Sequence, residues 1–220
     1  MTEIYLVRHA QPIARNESTL SKLFSVFKTP SSALSDFGSM QALITAQFFR
    51  RLDANILLAS PVSRALETAK IFSETLKLEV QVRKDLQEQD VGPRLKRVKP
   101  NDIPKAFPDE WRGMQSGALA YAPPGGESIG AFLSRVEYFL TGMESISGTV
   151  IAVTHFGFIQ GVVCNILGLP FRYSLPLDFG EASITHVFLQ MGDRVLVSLN
   201  ETSHWEVALG VKSRSFRVHL

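Results

Sequence analysis

Ile4-Tyr5-Leu6-Val7 runs directly into Arg8-His9-Ala10-Gln11. The four apolar residues read as a buried strand, and the strand ends on a cation and an imidazole. In open α/β sheets, ligands bind outside the carboxyl ends of the strands, so a charged pair placed there is a functional candidate. Two later segments repeat the design. Asn55-Ile56-Leu57-Leu58-Ala59 leads into Ser60-Pro61-Val62-Ser63-Arg64, and Val150-Ile151-Ala152-Val153-Thr154 leads into His155.

Helical patterns lie between these strands. Ser35 can cap a helix reaching about Leu52, with Asp36 in its first turn. Ser60 can cap a helix from Pro61 to about Leu76, because proline at the first helical position sacrifices no hydrogen bond. Arg64 then lies in the first turn, where free N–H groups and the helix dipole favour an anion. Leu78 to Arg83 alternates as a half-buried strand does. Ser128 caps the best-patterned helix, with Ile129, Phe132, Leu133, Val136, Phe139, Leu140 and Met143 on one face. The strand Thr149 to Thr154 precedes a helix from about Gly157 to Leu167, stopped by Gly168. Strands are expected over Ser183 to Met191 and Arg194 to Leu199, with a turn at Gly192-Asp193. Residues 205 to 220 receive no assignment. The alternation predicts a three-layer α/β/α sandwich with a mainly parallel central sheet.

Two stretches break the pattern. Between Pro12 and Ala33, Leu20, Leu23, Phe24 and Phe27 share one face of a short helix, read as a packed cover. From Lys84 to Gly126 prolines interrupt any period, which predicts an active-site cover within one domain spanning residues 1–220.

The 220 residues, 45% hydrophobic, can bury a sizeable core, and a net charge of +2 gives no compositional case for nucleic acid or an anionic membrane. No run of about 18 apolar residues exists, which excludes an ordinary membrane helix. The chain begins with a strand and shows no signal-peptide pattern, and the single Cys164 cannot form an intrachain disulfide. The expectation is a cytoplasmic protein with a buried, structural thiol.

If Arg8, His9, Arg64 and His155 meet at one sheet edge, two guanidiniums and two imidazoles suit a phosphate. A neutral imidazole can attack phosphorus and divide hydrolysis into two transfers through a phosphohistidine. The cations should keep that imidazole deprotonated until an anionic substrate compensates them. The leaving alkoxide needs a proton. Glu88 is the candidate donor, with Asp90 close by, in Asp85-Leu86-Gln87-Glu88-Gln89-Asp90-Val91-Gly92.

The sequence resembles the histidine phosphatase superfamily, the phosphoglycerate-mutase-like fold. The resemblance rests on an ordered set: VRHA at Val7 to Ala10, LSDFGSMQA at Leu34 to Ala42, SPVSRALETA at Ser60 to Ala69, LQEQDVG at Leu86 to Gly92, PGGES at Pro124 to Ser128, and VTHFGFI at Val153 to Ile159. It implies His9 as nucleophile, Arg8 and Arg64 as phosphate ligands, His155 as a donor to a phosphoryl oxygen, and Glu88 as proton donor. It also implies no metal or organic cofactor. Asn16 stands one place later than the family's phosphate-contacting asparagine and remains a candidate ligand. Ala10 replaces the usual glycine, and Gly92-Pro93-Arg94 departs from the pattern that commonly follows the acid.

The expected substrate is a small phosphomonoester, and Phe107, Trp111 and Tyr121 suit an apolar or aromatic one or serve as packing. Three other readings compete. A phosphoglycerate-type mutase would return the phosphoryl group to a second hydroxyl, and the basic cluster Arg94, Lys96, Arg97 and Lys99 could hold a second anion or simply face solvent. A binding module would capture phosphorylated ligands without turnover. A metal hydrolase would use His9, His155, His186 and His204, but no short metal-ligand spacing joins them.

Overall fold

Strand β1 (Thr2–Arg8) has a neighbour on each side along nearly its whole length. It pairs in parallel with β4 (Gly148–Thr154) and antiparallel with β5 (Ile184–Gln190). The computed structural model describes residues 1–13, 33–98 and 102–211. Asn16 and the Leu20, Leu23, Phe24, Phe27 stripe lie outside them, as does Lys99. With β2 (Ala54–Ala59), β3 (Val80–Val82) and β6 (Asp193–Glu201), the six strands form one sheet in the order β3-β2-β4-β1-β5-β6.

The pleat sends successive side chains to opposite faces, so the run at residues 4–7 feeds two cores. Ile4 and Leu6 pack with Phe132, Val136 and Phe139 of α6 (Ile129–Glu144) and Phe158 and Val162 of α7 (Phe156–Leu167). Tyr5 and Val7 pack with Ala42, Ala46 and Phe49 of α1 (Asp36–Phe49) and Ala65, Ala69 and Phe72 of α2 (Ser63–Leu76). The expected three-layer sandwich is borne out. Burial of β1 on both faces explains why its apolar run is continuous rather than alternating.

The helix after β1 covers one face and the helix after β4 covers the other, although β1 and β4 are neighbours. That divergence opens a crevice at their carboxyl ends.

Local chemistry sets the helix starts. Ser35 accepts from the Gly38 N–H at 2.9 Å, and Ser128 accepts from the Ala131 N–H at 3.1 Å. Such caps contribute about 1 kcal/mol each. Gly38 also lets α1 approach the segment that follows β1, since a Cβ there would meet the Gln11 carbonyl oxygen at 2.1 Å.

Several boundaries differ from expectation. Helix α1 stops at Phe49, because a tight turn through Leu52 reaches β2. Helix α2 starts at Ser63 with Val62 at the cap, so Ser60 is not its cap. Strand β3 is only three residues, since Leu57 to Ala59 alone lie opposite it. The β5–β6 turn falls one residue earlier, at Met191 and Gly192, whose φ angles of 51° and 89° are the left-handed pair that a tight hairpin requires. Helix α8 (Ser203–Leu209) occupies part of the unassigned carboxyl region, anchored by the buried Trp205 ring edge-on to Phe37.

The irregular stretch contains a 3-10 turn (Lys84–Leu86) and three short helices: α3 (Gly92–Leu95), α4 (Ile103–Ala106) and α5 (Pro108–Gln115). Leu95, Ile103 and Met114 form a small core of their own, against which Phe107, Trp111 and Tyr121 pack. Packing is therefore where those aromatics are used. Arg94 pairs with Glu110 at 3.3 Å and stacks over Phe107, and Lys96 pairs with Asp90 at 2.8 Å.

Candidate active site

The crevice gathers the side chains expected from the strand ends. His9 N–H donates to the Thr154 carbonyl at 2.9 Å and Ser60 N–H to that of Val153 at 3.0 Å, which aligns the ends of β1, β2 and β4. His9 is 5% exposed and His155 fully buried, with ring centroids 5.3 Å apart.

Arg64 bridges them. Its Nε donates to His9 Nε2 at 2.8 Å, and its Nη2 lies 3.0 Å from His155 Nδ1. His9 Nδ1 faces the Ala10 carbonyl at 2.9 Å, and His155 Nε2 faces the Ser60 hydroxyl at 2.8 Å. A carbonyl accepts only, so His9 carries its proton on Nδ1 and presents a lone pair at Nε2. Arg64 donates only, so His155 carries its proton on Nε2 and gives it to Ser60. Ser60 is thus a site residue that its position before a helix disguised as a cap.

Burial and the Arg64 charge, with a smaller contribution from Arg8, hold His9 near a pKa of about 3. The same causes, burial first, hold His155 near about 2. Both rings are neutral at physiological pH. The unfolded chain takes up protons near pH 6.5 that the fold refuses, so stability falls as pH drops from that value toward 3. Each histidine costs about 2 kcal/mol at pH 5. Urea unfolding should therefore show a loss of a few kcal/mol between pH 7 and pH 5, partly restored by inorganic phosphate. An unchanged midpoint would contradict two neutral buried imidazoles.

Arg8 flanks the pair. Its Nη1 donates to the Phe179 carbonyl and its guanidinium lies 5.6 Å from the Phe156 ring centroid. Its Nε is buried without a protein acceptor among the described residues. The segment that positions it contains Ala182, buried at a left-handed φ of 55°, whose N–H donates to the Arg8 carbonyl at 3.1 Å. Holding a non-glycine residue there costs on the order of 1 kcal/mol, and such strain concentrates at functional sites.

Glu88 reaches the amino end of α7. Its Oε2 accepts from the Gly157 N–H at 3.1 Å and its Oε1 from the Gln89 N–H at 3.0 Å. Burial raises its pKa, opposed by those two hydrogen bonds and by the charges of Arg64 and Arg8. Asp90, the other candidate acid, is engaged by Lys96 and the Gly92 N–H, and the Lys96 contact lowers its pKa. Of the two, burial raises the pKa of Glu88 while the Lys96 contact lowers that of Asp90.

A Cβ on Gly157 would meet Glu88 Oε1 at 2.4 Å. Gly157→Ala should displace the Glu88 carboxyl and reduce phosphate release by about tenfold to a hundredfold, while the thermal midpoint moves by only a few degrees. Unchanged turnover would show that the carboxyl's position is immaterial.

His186 and His204 lie elsewhere. His186 stacks on Tyr5 at 4.2 Å within the sheet, and His204 meets Thr45 at 2.9 Å. Among the described residues no three of His, Cys, Asp or Glu gather as a metal-binding group. Cys164 is buried, and burial raises its thiol to about 11, in keeping with a structural thiol.

Fold and site together define a class: an α/β protein with two neutral imidazoles and two guanidiniums at the carboxyl edge of its sheet. The chain belongs to the histidine phosphatase superfamily (branch 1), whose model matches residues 4–202. It is 25% identical over 210 residues to phosphoserine phosphatase 1 of Hydrogenobacter thermophilus, covering 93% of this chain and 94% of that protein. It is also 25% identical over 215 residues to a Yersinia pestis protein named "Probable phosphoglycerate mutase GpmB", covering 94% and 96%. The solved mycobacterial glucosyl-3-phosphoglycerate phosphatase has the same fold, with a TM-score of 0.69 at 22% identity over 91% of this chain and 99% of that one. The resemblance read from the ordered motifs is borne out.

Proposed function

We propose that the protein is a phosphatase that hydrolyses a small phosphomonoester through a phosphohistidine on His9. The observation that carries this reading is the Arg64 bridge between two neutral imidazoles, with His9 Nε2 presenting its lone pair at the sheet edge.

An arriving phosphate offers oxygens that accept more strongly than an imidazole nitrogen. Arg64 turns from His9 to the phosphoryl group, Arg8 adds its Nε, which has no acceptor among the described residues, and the freed Nε2 lone pair attacks phosphorus. With the phosphate charge in place, His155 takes a second proton from solvent onto Nδ1 and donates it in a hydrogen bond to a further phosphoryl oxygen. As the N–P bond forms and the bond to the leaving oxygen breaks, Glu88 donates its proton to that oxygen. The resulting carboxylate then takes a proton from water, which attacks phosphorus and releases phosphate from His9. A bound phosphate compensates the two guanidiniums that lower the Glu88 pKa, so the complex favours the protonated acid.

Residues 84–126 act as the active-site cover of a single domain in this reading. The cytoplasm is the proposed location. No described helix is long and apolar enough to cross a membrane. A mutase remains the alternative, supported by the Yersinia relative. The Arg94 and Lys96 ion pairs weigh against it, because a second anion would have to displace Glu110 and Asp90.

The test is phosphate release from a panel of phosphomonoesters with chelator present, run beside interconversion of phosphoglycerates. Hydrolysis that outpaces interconversion is expected. The reverse order would establish the mutase, and chelator-abolished release restored by a divalent ion would replace this mechanism.

A further inference from the structure

We infer that Glu127 and Arg135 clamp the Glu88 loop and are positioning residues for proton donation to the leaving group. The inference rests on the phosphohistidine reading above. Glu127 belongs to the Pro124-Gly125-Gly126-Glu127-Ser128 motif, for which the chemistry so far has no use.

Residues 87–91 carry the acid with no helix or strand of their own, so their backbone groups need partners from outside. Arg135, nearly two turns into α6, supplies them. Its Nη1 donates to the carbonyls of Asp85 at 2.9 Å and Gln87 at 2.6 Å, and its Nη2 reaches that of Glu88 at 3.5 Å. Glu127 orients the guanidinium through two bonds, from Nε to Oε1 at 3.1 Å and from Nη2 to Oε2 at 2.7 Å. It also grips the far side of the loop. Its N–H donates to the Asp90 carbonyl at 2.7 Å, its Oε2 accepts from the Asp90 N–H at 3.4 Å, and its carbonyl accepts from Gln89 Nε2 at 3.3 Å.

At the loop's entry the Thr154 hydroxyl also donates to the Leu86 carbonyl at 2.7 Å beside His155. The entry of the acid's loop is therefore held both by β4, which carries His155, and by Arg135 of α6, and its exit by Glu127 just before that helix. Both members of the ion pair have side chains only 20% exposed, so the pair is sheltered and its planar fork sets direction as well as distance. A lysine would keep the charge at Arg135 but lose the fork that serves carbonyls and carboxylate together.

A displacement of about 1 Å can cost a catalytic group up to about a hundredfold. Here the cost would be selective, because a leaving oxygen of low basicity departs without a proton. The experiment is kcat/KM, which covers steps through departure of the leaving group, measured across monoesters from nitrophenyl to alkyl phosphates. Arg135→Lys should lose about thirtyfold on alkyl phosphates and less than about twofold on nitrophenyl phosphate. Glu127→Gln should show the same slope with a smaller loss, which guards against an Arg135 variant that folds poorly. Added to Glu88→Gln, Arg135→Lys should cost no more than about a further twofold, since both act through one carboxyl. A uniform loss across the series, no loss, or full additivity with Glu88→Gln would overturn the positioning role while leaving the phosphatase reading intact. A wild-type protein inactive on the whole series would overturn that reading, and this inference with it.

Discussion

His9→Ala should lower phosphate release by about 10⁴-fold or more, while inorganic phosphate still binds within a few-fold of the wild-type affinity. The two outcomes separate because the proposed phosphate ligands are different side chains from the proposed nucleophile. Arg8, Arg64 and His155 all remain, and Arg64 loses the imidazole acceptor that holds it at 2.8 Å in the free site. Only the imidazole that would form the N–P bond is removed. Turnover measured as released phosphate, beside affinity measured by titration calorimetry, checks both halves. Residual hydrolysis near the wild-type rate would move the nucleophile elsewhere, and lost phosphate binding would show that the alanine had damaged the site.

Glu88→Gln should cost about 10²- to 10⁴-fold on alkyl phosphates and much less on nitrophenyl phosphate. Glutamine retains the acceptor oxygen for the Gly157 N–H but has no acidic proton to give. The pH profile carries the sign. In the proposed mechanism the acid form is the active one, and burial raises the folded pKa, so wild-type kcat/KM should fall as pH rises through that pKa. The glutamine variant should lack that alkaline limb. On the acid side, His9 stays unprotonated in the free enzyme down to about 3, so the nucleophile imposes no loss at pH 5. A glutamine variant that kept the wild-type alkaline limb would transfer the proton to another donor.

The fold was legible where the physics is local and periodic. Residues 4–7 suggest a doubly buried strand through their short, uninterrupted apolar run, and the apolar set from Ile129 to Met143 announces α6 through its helical spacing. Basic groups at the ends of three strands announced the site, since a parallel sheet brings such ends together. What failed was the choice between two local uses of one residue. Ser60 before Pro61 satisfies every local rule for a helix cap, and only the fold reveals that His155 takes its hydroxyl. Phe107, Trp111 and Tyr121 could have lined a substrate, and only the contacts with Leu95, Ile103 and Met114 show where they pack. Arg135 gave no signal at all, because its partners are backbone carbonyls that any sequence would provide. Helix α8 was too short for a period to emerge around Trp205.

The central claim is a covalent phosphoryl group on His9. Rapid quench of the wild-type protein with nitrophenyl phosphate in chelator, followed by peptide mass spectrometry under alkaline conditions that preserve phosphohistidine, tests it most directly. The predicted result is one phosphoryl group on the peptide containing His9, formed and discharged at the rate of turnover and absent from His9→Ala. Hydrolysis proceeding with no phosphoenzyme, or with the group on another residue, would contradict the account.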